Sequence, residues 1–144
     1  MTSKLEFKFK WATSRMNIPK TLMSNQEMLN KVVEHFIVDP HPPGIEVKTM
    51  SGREVKWLCR LRTTDGRKCA IGMFIPDSTY SSYMEDQSLA KLASGLGETI
   101  VSQDVGFLWT LRQAHDRWAA LEGISLEAEL REVARRFGLN FPAL

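Results

Sequence analysis

No apolar run in the 144 residues approaches the roughly 20 that span a bilayer, so no helical membrane span is expected. The first residues, MTSKLEFKFKW, alternate charge with bulk and lack the apolar block of a signal peptide. A cytoplasmic protein is therefore the expectation. Cysteine is scarce: Cys59 and Cys69 are too few for a disulfide framework and are not spaced like a zinc pair. Reduced thiols are expected, although a cross-strand contact between the two is geometrically open. Of the three histidines, His35, His41 and His115, none shows the short ligand spacing of a metal site. Neither metal nor cofactor is expected.

No charge of one sign dominates either, since the net charge is only +2. The charge is nonetheless segregated along the chain. Residues 1–22 carry +4 and residues 48–68 carry +5, whereas residues 23–47 carry −3 and residues 77–104 carry −4.

What is present is the composition of one ordinary domain, 25% charged and 43% hydrophobic. Residues 1–22 read as a basic N-terminal extension and residues 23–144 as a single α+β domain. Ser24 to Glu27 has the form of a capping box. Met28, Leu29, Val32, Val33, Phe36 and Ile37 then recur at helical spacing until the Asp39–Gly44 segment, with its three prolines, breaks the helix.

From Glu54 the period changes to two: Val55, Trp57, Cys59 and Leu61 alternate with Lys56, Leu58, Arg60 and Arg62. Turn chemistry follows at Thr63–Gly66. Alternation at Cys69, Ile71 and Met73 predicts that residues 54–74 form a hairpin, to which Ile45–Val47 could add a third strand. A short helix is expected near residues 86–94. A longer one should start at Ser102 or Asp104, with Val105, Leu108, Leu111, His115 and Trp118 on its inward stripe. A last helix, capped by Ser125, should end at Gly138. The expected fold is a small antiparallel sheet packed against about four helices. Its core should include Val32, Phe36, Trp57, Ile71, Leu108, Leu111, Trp118, Leu130 and Phe137.

The run Asp65-Gly66-Arg67-Lys68-Cys69-Ala70-Ile71-Gly72-Met73-Phe74-Ile75-Pro76-Asp77 is followed by Tyr80, by Met84-Glu85 and by His115-Asp116. This pattern resembles a family of small uncharacterised proteins of tailed bacteriophages, prophages and bacteria. The resemblance spans roughly residues 23–138. It implies a mobile-element origin and a bacterial host cell, and carries no mechanism.

Three functional readings compete. The favoured one is a non-enzymatic accessory protein that binds a host or defence macromolecule, most simply a protein, and modulates it. Its contact residues would be Lys56, Arg60, Arg62 and Lys68 on the basic strand face, with Tyr80, Tyr83 and Glu85 in the acidic loop. The alternative is nucleic-acid binding, in which the same basic face tracks phosphates. The third is a cysteine-dependent hydrolase or transferase built on Cys69, His115 and Asp116, the residue types of an activated thiol. Against it, neighbours on a helix point about 100° apart, so Asp116 is not expected to orient His115.

Overall fold

A computed structural model describes residues 23–50, 52–95, 102 and 104–144. The extension expected at residues 1–22 lies outside them, as do the side chains of Lys56 and Trp57. The described elements run α1 (Asn25–Val33), β1 (Ile45–Met50), β2 (Arg53–Cys59), α2 (Leu89–Gly95), α3 (Val105–Ala120) and α4 (Leu126–Phe137). This is a small α+β fold with one two-stranded antiparallel sheet. Among the described residues no helix is long and apolar enough to cross a membrane.

Helix α1 starts where its capping box requires. Ser24 Oγ accepts the Glu27 amide at 3.1 Å and the Glu27 carboxylate accepts the Ser24 amide at 2.9 Å. The helix then widens into a π-turn, Glu34–Val38, ahead of the proline segment. Asp104 caps α3 by accepting the Phe107 amide, and Ser125 caps α4 by accepting the Ala128 amide. Ser102 joins the starts of α1 and α3: its hydroxyl donates to Asn25 Oδ1 at 2.6 Å and its amide approaches Met28 Sδ at 3.2 Å.

The hairpin differs from expectation. Strand β2 is where the alternation put it, but its partner is the preceding strand β1, in the register Ile45↔Cys59, Val47↔Trp57 and Met50↔Arg53. The connection passes through Gly52, at φ +74°. Residues 69–74, expected as the second arm, make turns and a short 3-10 helix at Gly72–Phe74 instead. The physical reason is burial on every side. Cys69, Ala70, Ile71, Gly72, Phe74 and Ile75 are all buried, so the apparent alternation reflects an apolar run with no exposed face. The Thr63–Gly66 turn does form, closed by the Gly66 amide on the Thr63 carbonyl at 3.0 Å.

The core lies between α1, α3, α4 and the 69–75 segment. Met28, Leu29, Phe107, Leu108, Leu111 and Leu130 are fully buried there, and each such side chain contributes roughly 1.5–3 kcal/mol. Of the residues expected in it, Val32, Phe36, Ile71, Leu108, Leu111 and Leu130 are buried, while Trp118 and Phe137 are partly buried against it. Val105 departs from expectation: it begins α3 on the outer side and is 38% exposed.

Candidate functional site

Three elements bring a thiol and imidazole cluster together in the core. Cys59 ends β2, Cys69 opens the segment after the Thr63–Gly66 turn, and His115 and Asp116 lie on α3. His115 Nδ1 is 2.8 Å from Asp116 Oδ1, so Asp116 does orient the imidazole, contrary to the expectation from helix geometry. Nδ1 is the ring nitrogen nearer the backbone, and the short aspartate side chain can curve round the helix to reach it.

The other ring nitrogen is also engaged, because the buried Gly44 amide lies 3.1 Å from His115 Nε2. A backbone amide can only donate, so Nε2 is the acceptor and Nδ1 carries the hydrogen, which it donates in a hydrogen bond to Asp116. One tautomer is thereby fixed, with no lone pair left on the ring for a substrate.

The two thiols lie against each other. Cys59 is held well above the usual thiol range, first by its neighbour Cys69 and then by burial. Cys69 is shifted the other way, below the usual thiol range, chiefly by its neighbour Cys59, with further support from backbone amides including Gly72 at 3.3 Å. Cys69 is fully buried, whereas Cys59 is partly exposed. Cys59 also borders a pocket of about 30 Å³ with Leu61, Met84, Leu92 and Arg112.

Donor atoms of Cys59, His115 and Asp116 lie within 4.8 Å of one another, which is metal-like spacing. The hydrogen bonds do not fit a metal. A cation on Nδ1 would require the proton on Nε2, where it would face the Gly44 amide hydrogen; a ligating histidine normally donates from its second nitrogen to an acceptor. The sequence pointed to Cys69, His115 and Asp116 together; it did not place Cys59 or Gly44 beside them.

Most of the residues proposed for partner binding also meet and pair with one another, although Arg60 Nε and Arg62 Nε are buried without a hydrogen-bond partner. Glu85 accepts the Leu61 amide at 2.9 Å, the Arg62 amide at 3.0 Å and the Tyr80 hydroxyl at 2.5 Å. Burial and the Glu85 carboxylate push Tyr80 up to about 12. Arg60 lies 3.7 Å from both Glu46 and Glu85. Arg62 pairs with Asp77 at 2.8 Å and covers the Tyr80 ring, and Lys68 reaches Asp77 at 3.9 Å. Tyr83, by contrast, is 66% exposed.

Trp109 was not singled out by the sequence reading. It is 49% exposed on the outer side of α3. Together with Val105, Leu89 and Arg112 it lines an open groove of about 540 Å³, rimmed by Glu85 and Asp86. The available signal was the spacing of Val105, Trp109 and Arg112, which share a helical face distinct from that of Leu108, Leu111 and His115.

A separate pocket of about 230 Å³ holds two stacked imidazoles, His35 in the π-turn and His41 in the proline segment, with ring centres 4.0 Å apart. Burial, then His41, lowers His35; the carbonyls of His35 and Asp39, accepting from His41 Nδ1, raise His41. The signs oppose. His41, raised, contributes stability at acid pH that is lost as pH rises through its folded value. His35, lowered, contributes stability above its ordinary value of 6.5 that is lost as pH falls. Imidazole NMR titration should therefore show two separate midpoints on either side of 6.5, His41 the higher. Coincident midpoints would refute the stacked arrangement.

Comparison with protein-family profiles, with curated proteins and with solved structures gave no match.

Proposed function

We propose that this protein works by binding a macromolecular partner, most simply a protein, and not by catalysis. The observation that carries this reading is the contrast between the closed thiol cluster and the open Trp109 groove. A cysteine nucleophile needs a reachable sulfur and a base with a free nitrogen. Here Cys69 is fully buried and both His115 nitrogens are hydrogen-bonded.

The groove has the opposite character. It presents a half-exposed tryptophan beside Val105, with charged residues of both signs at its rim. Tryptophan, tyrosine and arginine dominate the energetics of protein interfaces. Tyr83 adds an exposed aromatic on the loop before α2. Resemblance to small phage and prophage proteins agrees with an accessory protein that modulates a host or defence macromolecule, and supplies no target.

The test is capture of partners from bacterial lysate on the immobilised protein, with and without nuclease, beside the Trp109→Ala variant. A stoichiometric protein that survives nuclease and is lost with Trp109→Ala is the expected result. Truncating an interface tryptophan costs about 2 kcal/mol or more, roughly thirty-fold in affinity. Nucleic acid retained equally by both proteins, and released steeply by salt, would replace this reading with phosphate binding.

A further inference from the structure

We infer that the Trp109 groove is a docking site for residues 5–11 of this chain's own N-terminal extension. The occupancy stands apart from the partner reading, since a chain can fill its own groove whether or not a partner exists to displace it.

The chemistry of the groove sets what fits it. Val105, Trp109 and Leu89 give it apolar walls, and its volume of about 540 Å³ lies within the roughly 300–1,000 Å³ of ligand sites. It also holds a charge of each sign, Asp86 and Arg112, and among the described residues neither has an ion-pair partner. A fitting occupant therefore combines bulky apolar side chains with charges of both signs. Leu5, Phe7, Phe9 and Trp11 alternate with Glu6, Lys8 and Lys10. In an extended chain that pattern puts the four apolar side chains on one face and leaves a carboxylate for Arg112 and ammonium groups for Asp86 on the other. The balance of charge agrees: residues 1–22 carry +4, against −4 for residues 77–104.

The extension also joins the domain beside the groove. The described chain begins at Met23, which packs against the core, and the Asn25 side-chain amide donates to Asp104 at 3.1 Å. Val105, the next residue, lines the groove. Residues 12–22 have only to lead from this corner into it, and a stretch of that length reaches up to roughly 36 Å. Tethering gives the segment an effective concentration on the order of millimolar, so a contact too weak to hold a free peptide is occupied within the chain.

The full-length protein carrying Ala90→p-benzoylphenylalanine, a photoreactive group on the groove wall, tests this without any partner present, so its outcome is independent of lysate capture. Illumination of a dilute sample should give a monomer in which the tryptic fragment 69–91 is joined to the fragment 5–8, 9–10 or 11–15. Adding Phe7→Asp with Phe9→Asp should weaken the contact about thirty-fold, as loss of an anchoring aromatic does, and remove the link. In the chain without the photoreactive group, the same two changes should shift the Trp109 indole N–H resonance, identified by its disappearance in Trp109→Phe. The mapped link stands on its own even if the double variant unfolds. Links only between separate chains would give the groove to a second copy, and links to residues 96–101 would give it to the chain that follows α2. An unlinked monomer with an unchanged indole resonance would leave the groove open. Each of these three results overturns the assignment.

Discussion

Gly72→Ala is expected to cost the protein a large part of its folding stability. A β-carbon at this position would lie 2.0 Å from the Leu61 carbonyl oxygen and 2.7 Å from the Leu61 α-carbon. Both are backbone atoms, so no side-chain rotation relieves the overlap. The two segments must separate, and they carry much of the core: Leu61, Cys69, Ile71, Phe74 and Ile75 are all buried. A clash of this kind belongs to the rare class costing more than about 4 kcal/mol, against a total of about 5–15 kcal/mol for a domain. Thermal unfolding followed by circular dichroism should show the midpoint falling by more than about 10 °C. A midpoint within a few degrees of wild type would mean that the close approach at Leu61 is not a feature of the folded protein.

Glu85→Ala should rank second. Its carboxylate is the shared acceptor for two backbone amides, Leu61 and Arg62, and for the Tyr80 hydroxyl. Its side chain is only 10% exposed, and Arg60 stands beside it. Alanine would leave those donors without a partner, at about 1–3 kcal/mol for each one that water cannot reach. We expect a loss of about 3–5 kcal/mol in urea unfolding, with Glu85→Gln, which retains one acceptor oxygen, losing roughly half of it. Equal stability of Glu85→Ala and wild type would show that the acidic loop is not fastened to the end of β2. Exposed Tyr83→Ala is the control, and should stay within about 0.5 kcal/mol of wild type.

The helices were readable because their signals are local. Ser24 with Glu27, Ser125 with Gly138, and the inward spacing of Leu108 and Leu111 each act within a few residues. The sheet was half readable. Alternation identified β2, but the buried stretch after Gly66 mimics a strand without pairing as one, and the Ser51-Gly52 turn signal was passed over. The cluster was legible in its residue types, since Cys69, His115 and Asp116 do converge. What the sequence hid was the Gly44 amide, which no side-chain pattern announces and which decides the imidazole's tautomer. Trp109 was hidden for a different reason: an aromatic next to buried Leu108 reads as core until the helical phase is fixed.

The tie between Gly44 and His115 joins residues 71 positions apart. During synthesis the chain emerges from its N-terminus, so Cys59 and Cys69 leave the ribosome well before His115 and Asp116 do. Until α3 follows and docks, the nascent chain carries two ordinary thiols, free to collide with those of other unfinished chains. The fixed orientation of the imidazole is therefore acquired only at the completion of folding, when α3 brings Nε2 to the Gly44 amide.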